Sequence, residues 1–182
     1  MELPLTPSQT IGPFFHLCLT TDNTAGCLRR SELKGEHIEL DCRVFDGDGV
    51  VVDDAMIELW QADADGVYAT EGAAFQGFGR LATGDNGACV FETIKPGRVP
   101  AWNGTLQAPH INVSIFARGL LKRIATRVYF AGEASNDDDP VLALVPQDRR
   151  GTLMARRDSA NPACWRFEIH LCGERETVFF DV

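Results

Sequence analysis

The sequence predicts an all-β fold, an antiparallel β-sandwich with an extended N-terminal arm and long loops. Three observations carry this expectation. Ile38, Leu40, Cys42 and Val44 alternate with Glu39, Asp41 and Arg43, the pattern of a strand with one face on a core. Clusters of Gly, Pro and Asp, such as Asp46-Gly47-Asp48-Gly49, break the chain at short intervals, as turns between strands do. No window of a dozen residues sustains a helical period of 3.6.

Taken in order, residues 1 to about 15 read as an arm. Pro4, Pro7 and Pro13 rule out a regular helix or central strand, and Gly12-Pro13 signals a turn. Residues 17–34 hold at most one short helix or a loop. The first strand starts near residue 36, and a second runs from Met56 to Trp60. Further strands are expected at 88–94, 110–118, 124–130, 152–157 and 164–171; the stretch from Trp165 to Leu171 alternates throughout. Residues 63–87, rich in Gly and Asp, are too irregular for a strand pair and read as a long loop, the kind that carries function. No repeat, low-complexity tract or linker divides the chain, so residues 1–182 read as one domain.

Charge narrows the partners. A formal net charge of −9 and a pI near 4.8 argue against nucleic acid or anionic membrane, both of which select a basic face. Met1-Glu2-Leu3-Pro4 lacks the basic and apolar regions of a signal peptide, and no apolar run approaches the roughly 20 residues of a membrane helix. The six cysteines are scattered without a C-x-x-C pair. Structural zinc is therefore not expected, the thiols read as reduced and mostly buried, and a cytoplasmic location follows.

Several motifs have plain readings. Gly77-Phe78-Gly79-Arg80-Leu81-Ala82 fits a dinucleotide-binding pattern, but a loop follows it where a helix is needed, so it reads as a turn. Asp46-Gly47-Asp48-Gly49 and Asp63-Ala64-Asp65-Gly66 resemble fragments of calcium loops but have Val50 and Val67 at the third ligand position; both read as turns. Asn136-Asp137-Asp138-Asp139-Pro140 reads as a solvated acidic loop. His170 is expected on the exposed face of its strand, His37 opens a strand among charges, and His16 packs at the base of the arm. No G-x-S-x-G elbow is present. The remaining histidine, His110, shares a strand face with Asn112. A His-x-His pair there would be a bidentate metal site, and Asn is a poor substitute for imidazole.

At the level of whole motifs the chain resembles the α subunits of the protocatechuate 3,4-dioxygenases, a family of intradiol ring-cleaving enzymes. The resemblance is carried by residues 6–14 (TPSQTIGPF), 59–68 (LWQADADGVY), 93–97 (TIKPG), 107–112 (QAPHIN), 116–119 (FARG) and 176–181 (ETVFFD), and it spans nearly the whole chain. It implies a β-sandwich paired with a related β subunit. That partner binds non-haem Fe(III) through two tyrosines and two histidines, and the substrate protocatechuate is opened by O2 between its hydroxylated carbons. The product implied is 3-carboxy-cis,cis-muconate, in aromatic catabolism by the β-ketoadipate pathway. Followed onto this sequence, the four ligand positions hold Tyr68, Val99, His110 and Asn112. Valine has no donor atom and asparagine only a weak neutral one, so no catalytic iron is expected here; Tyr68 and His110 are vestigial. The resemblance places Thr10, Gly12, Pro13 and Phe14 in the lining of the partner's cavity, and gives Arg118 a catalytic and substrate-binding role as a cation for the substrate carboxylate. If one strand ran through both, His110 and Arg118 would lie roughly 26 Å apart at ~3.3 Å per residue, in two separate locations. The alternatives are a self-sufficient dioxygenase using Tyr68 and His110, and a scaffold that kept the fold without the chemistry.

Overall fold

Eight strands carry the structure: β1 His37–Phe45, β2 Met56–Gln61, β3 Phe78–Ala82, β4 Ala88–Ile94, β5 His110–Phe116, β6 Ile124–Phe130, β7 Met154–Arg157 and β8 Cys164–His170. The computed structural model describes residues 6, 12, 14–21, 23–102 and 104–182, without the side chains of residues 14, 16, 23 and 24. One short helix, α1 (Phe14–Cys18), precedes the strands, and short 3₁₀ turns lie at Asn23–Gly26, Ala134–Asp138, Leu142–Leu144 and Arg150–Leu153.

The strands form one sheet in the order β3-β2-β5-β6-β7-β8-β1-β4. Both halves face the same core: Ile38, Leu40, Phe91, Trp165 and Phe167 from one, Ile57, Leu59, Val113, Val128 and Phe130 from the other. Phe130 meets Trp165 edge-on, with ring centroids 5.0 Å apart, a favoured aromatic geometry. The end strands also meet, since a Cβ on Gly79 of β3 would stand 3.1 Å from the Phe91 ring of β4. The all-β sheet therefore nearly closes on itself.

Three expectations need correction. The sheet is mixed, because β1 pairs with β8 and β6 with β7 in parallel. Alternation decides which face of a strand is buried and says nothing about the direction of its neighbour. The segment 77–82 is largely strand β3: Gly79 is the contact point with Leu28 and Phe91, so the glycine marks close packing rather than a turn. Finally, β5 ends at Phe116, leaving Arg118 beyond the strand and followed by a turn at Gly119 (φ +84°).

The two Asp-rich segments are turns, as expected, and they share one construction. Asp46 Oδ1 accepts from the backbone N–H of Asp48 and Val50, and Asp63 Oδ1 accepts from Asp65 and Val67, at 2.9–3.0 Å. Each turn has its glycine, Gly49 or Gly66, at φ +79°. Among the cysteines, Cys42 and Cys89 are buried, but Cys18, Cys27 and Cys172 are exposed, so the expectation of mostly buried thiols fails for half of them.

Candidate functional site

The chemistry collects on one outer face, formed by β3, β2, β5 and β6. Period 2 sends Ile57 and Leu59, Ile111 and Val113, and Val128 and Phe130 into the core. It therefore turns Glu58 and Trp60, His110 and Asn112, and Arg127 and Tyr129 to the other side. Register aligns these in rows across the strands. Arg80 stands opposite Glu58; Phe78, Trp60, Asn112 and Arg127 follow one another; and His110 stands opposite Tyr129.

At one end of this face Tyr68 and Asn112 come together. The loop after β2 brings Tyr68 back over Trp60, with stacked rings 5.7 Å apart. Gly66 and Gly97 permit the approach of this loop to the 96–99 segment. A Cβ on Gly66 would stand 1.9 Å from the Arg98 carbonyl oxygen, and one on Gly97 would stand 2.4 Å from that of Ala64. Asn112 Nδ2 donates to the Tyr68 hydroxyl at 3.0 Å and to the Trp60 carbonyl at 3.3 Å. Burial raises the Tyr68 phenol above its ordinary range, opposed by the bond from Asn112 and the charge of Arg127. Val99 is buried and apolar.

His110 is 1 % exposed. Its Nδ1 lies 2.8 Å from the Ala108 carbonyl oxygen, so that nitrogen carries the hydrogen and Nε2 carries a lone pair. Nε2 is buried and has no hydrogen-bond partner. Burial, then the Arg127 charge, lowers the imidazole to about 4, which keeps it neutral at physiological pH. Asp139 holds this arrangement in place. One of its oxygens accepts from the Ala108 N–H at 2.7 Å; the other accepts from the N–H groups of Val141 and Leu142 and from the Tyr129 hydroxyl. Asp139 is fully buried, so the expectation of a solvated acidic loop fails at its last carboxylate.

The donor set does not fit a ferric ion. His110 presents a lone pair, but Val99 offers nothing, Asn112 turns its NH2 group to Tyr68, and Tyr68 is held as a phenol. Among the described residues no three His, Cys, Asp or Glu side chains are grouped so as to hold a metal ion.

The other end of the face anchors the arm. Arg80 and Glu58 form an ion pair at 2.7 Å, with side chains 6 % and 2 % exposed. Thr6 closes it: its N–H and hydroxyl donate to the Glu58 carboxylate, and its hydroxyl accepts from Arg80 Nη2 at 2.7 Å. Phe15 of α1 packs on Met56 and Phe116 nearby. Of the arm residues singled out by the sequence, Thr10 and Pro13 lie outside the described residues, as does the side chain of Phe14. The Gly12 carbonyl accepts from the Phe15 N–H at 3.0 Å, and a Cβ on Gly12 would meet nothing within 4 Å. Arg118 stands apart from His110, with a side chain 74 % exposed, in ion pairs with Asp54 and, at 4.0 Å, Asp53. His170 is buried rather than exposed, stacked on Phe45 at 4.8 Å; the parallel register of β1 and β8 sets those two rings side by side.

Sequence reasoning missed Arg127, Tyr129 and Asp139. The first two were open to it, since positions i and i+2 of an expected strand share a face. Asp139 gave no signal within its acidic run.

The chain is similar to known proteins in sequence and in fold. The Dioxygenase family pattern matches residues 11–173. The protocatechuate 3,4-dioxygenase alpha chain of Burkholderia cepacia is 43% identical over 198 residues, covering 99% of this chain and 98% of that one. The beta chain of the same enzyme and organism is 30% identical over 189 residues, covering 96% of this chain and 78% of that one. In structure, the dioxygenase domain of a dioxygenase carbohydrate-binding protein fusion from Streptomyces sp. SirexAA-E superposes with a TM-score of 0.67 at 28% identity, over 92% of this chain and 98% of that one. No described helix is long and apolar enough to cross a membrane. The matched pattern and the near full-length likeness to an alpha chain establish that this chain belongs to the intradiol dioxygenase family.

Proposed function

We propose that this chain is the iron-free subunit of a hetero-oligomeric protocatechuate 3,4-dioxygenase and completes the active-site cavity of an Fe(III)-bearing β subunit. The observation that carries the reading is a ligand set reduced to Tyr68 and His110 in a chain that matches an alpha chain from end to end. The related beta chain supplies the kind of partner required. In this reading an Fe(III) ion held by the partner would supply activation of the protocatechuate ring toward O2, giving 3-carboxy-cis,cis-muconate in the cytoplasm. The nearly closed sheet is read with its relatives as the two-layer sandwich of these enzymes.

This chain's own residues orient and enclose. Thr10, Gly12, Pro13 and Phe14 line the mouth of the partner's cavity. The open space at Gly12 leaves room for a substrate or partner backbone at that point. Arg118 leaves the end of β5 with its guanidinium in solvent, held by Asp53 and Asp54. On assembly it exchanges these carboxylates for a role beside the substrate carboxylate, which it attracts as a fixed cation.

Co-expression with a β-type chain, followed by oxygen uptake on protocatechuate, tests the reading. Turnover by the complex is expected, with Arg118→Ala raising KM about tenfold, equivalent to the loss of about 1.4 kcal/mol of binding. Turnover by this chain alone, iron-loaded, would favour the self-sufficient alternative. An unchanged KM in the Arg118→Ala complex would remove Arg118 from the cavity.

A further inference from the structure

We infer that Thr6, Glu58 and Arg80 are positioning residues for the reaction in the partner's cavity: they fix where the N-terminal arm begins, and through it the placement of the arm residues that meet the substrate. This deepens the proposed function and rests on it. Three residues at and just before the start of β2 hold what that reading sends to the cavity. Asp54 holds Arg118. Met56 seats Phe15 together with Phe116, which stands opposite Met56 across β2 and β5. Glu58 binds Thr6. Met56 and Glu58 share a strand face at i and i+2, roughly 6.6 Å apart at ~3.3 Å per residue. Thr6 and Phe15 are therefore held side by side, and the arm between them is bounded at both ends by one strand.

The contact at Thr6 is directional. Its N–H donates to Glu58 Oε2 at 3.3 Å, and its hydroxyl donates to Glu58 Oε1 while accepting from Arg80 Nη2 at 2.7 Å. Arg80 also donates through Nε to Glu58 Oε1 at 2.8 Å and lies over the Phe78 ring, 5.3 Å from its centroid. A buried ion pair adds little net stability over an apolar pair of the same size, so attachment alone does not call for one. What it supplies is direction. A main-chain N–H and a hydroxyl bound to one carboxylate fix both the place and the orientation of the backbone at Thr6. At the other anchor, the Gly12 carbonyl accepts from the N–H of the seated Phe15 at 3.0 Å.

Loosening one of two anchors lets the arm settle over more positions. The cavity is then complete in only a fraction of the molecules, and the apparent affinity for substrate falls by that fraction. The reacting atoms lie on the partner, so the effect falls on KM rather than on kcat.

The test uses the complex with the β partner and follows oxygen uptake on protocatechuate, with iron per αβ pair as the measure of assembly. Thr6→Val removes the hydroxyl that Glu58 and Arg80 share. It should raise KM about fivefold, with kcat changed less than about twofold and iron per pair unchanged. Thr6→Ser should return KM to within about twofold of the natural complex. Thr126→Val is the control. Its hydroxyl, on β6, donates to the Val178 carbonyl at 2.7 Å and belongs to a buried residue, and its loss should leave KM unchanged. An unchanged KM in the Thr6→Val complex overturns the inference, and so does an equal rise with Thr126→Val or a failure of Thr6→Ser to restore KM. Should Thr6→Val not assemble, Arg80→Lys takes its place, since it keeps a charge beside Glu58 but loses the fork that reaches Thr6. A KM raised at least about threefold is then expected, and an unchanged KM overturns the inference. Absence of turnover by the natural complex would instead defeat the proposed function, so the two failures are read on different proteins.

Discussion

Two buried polar clusters sit at opposite ends of one outer face, and they differ in whether they are complete. At the arm end every polar atom of the Glu58, Arg80 and Thr6 side-chain contact has an opposite charge or a hydrogen-bond partner. At the other end His110 Nε2 has none. A closed cluster does structural work, here fastening the arm to the sheet. An open cluster leaves a buried polar group unpaired, which costs stability.

Breaking the closed cluster gives the largest expected effect. Glu58→Ala removes the counter-ion of the buried Arg80 guanidinium and should lower stability by about 3–5 kcal/mol, read from the urea midpoint. A loss under 1 kcal/mol would show that the pair is open to water.

The open cluster should answer to pH. His110 falls to about 4 in the folded chain from its ordinary 6.5, so the unfolded chain takes up the proton first. The stability linked to a neutral His110 is complete above about pH 6.5 and is lost as pH falls toward 4, by about 3 kcal/mol in all. Unfolding curves of the natural chain and His110→Leu, recorded from pH 4 to 7, should converge or cross as pH falls. Curves that stay parallel would mean that the imidazole titrates alike in both states.

Thr6→Val sharpens the comparison on a smaller scale. It keeps the shape of the side chain and removes the hydroxyl shared by Glu58 and Arg80, for an expected loss of about 2 kcal/mol; Thr6→Ser should restore most of it. Arg118→Ala comes last. Its ion pairs are exposed, and the unfolding midpoint should move by less than about 0.5 kcal/mol. Any larger shift would give Arg118 a structural role in the isolated chain.

Most strands were legible because alternation is local: β1, β2, β4, β5, β6 and β8 lie where Ile38 to Val44 and their counterparts placed them. β3 was hidden because Gly79 is both a loop signal and a contact point against Phe91. The parallel neighbours of β1 and β6 are far away in sequence, and nothing in a strand's own residues names its partner. For the same reason His170 was misread: Phe45, which covers it, is brought there by the parallel register. Motifs singled out Tyr68 and His110, and the structure sets Tyr68 against Asn112 and buries His110. Arg127 was missed, because it meets Asn112 only across a ladder.

The central claim is that this chain completes a metal site without containing one. Metal analysis of the chain purified by itself, and of its complex with the β partner, tests this most directly. The account predicts iron in the complex at about one per αβ pair and none held by the chain alone. About one tightly bound iron per isolated chain, with visible absorption that disappears in Tyr68→Phe, would contradict it.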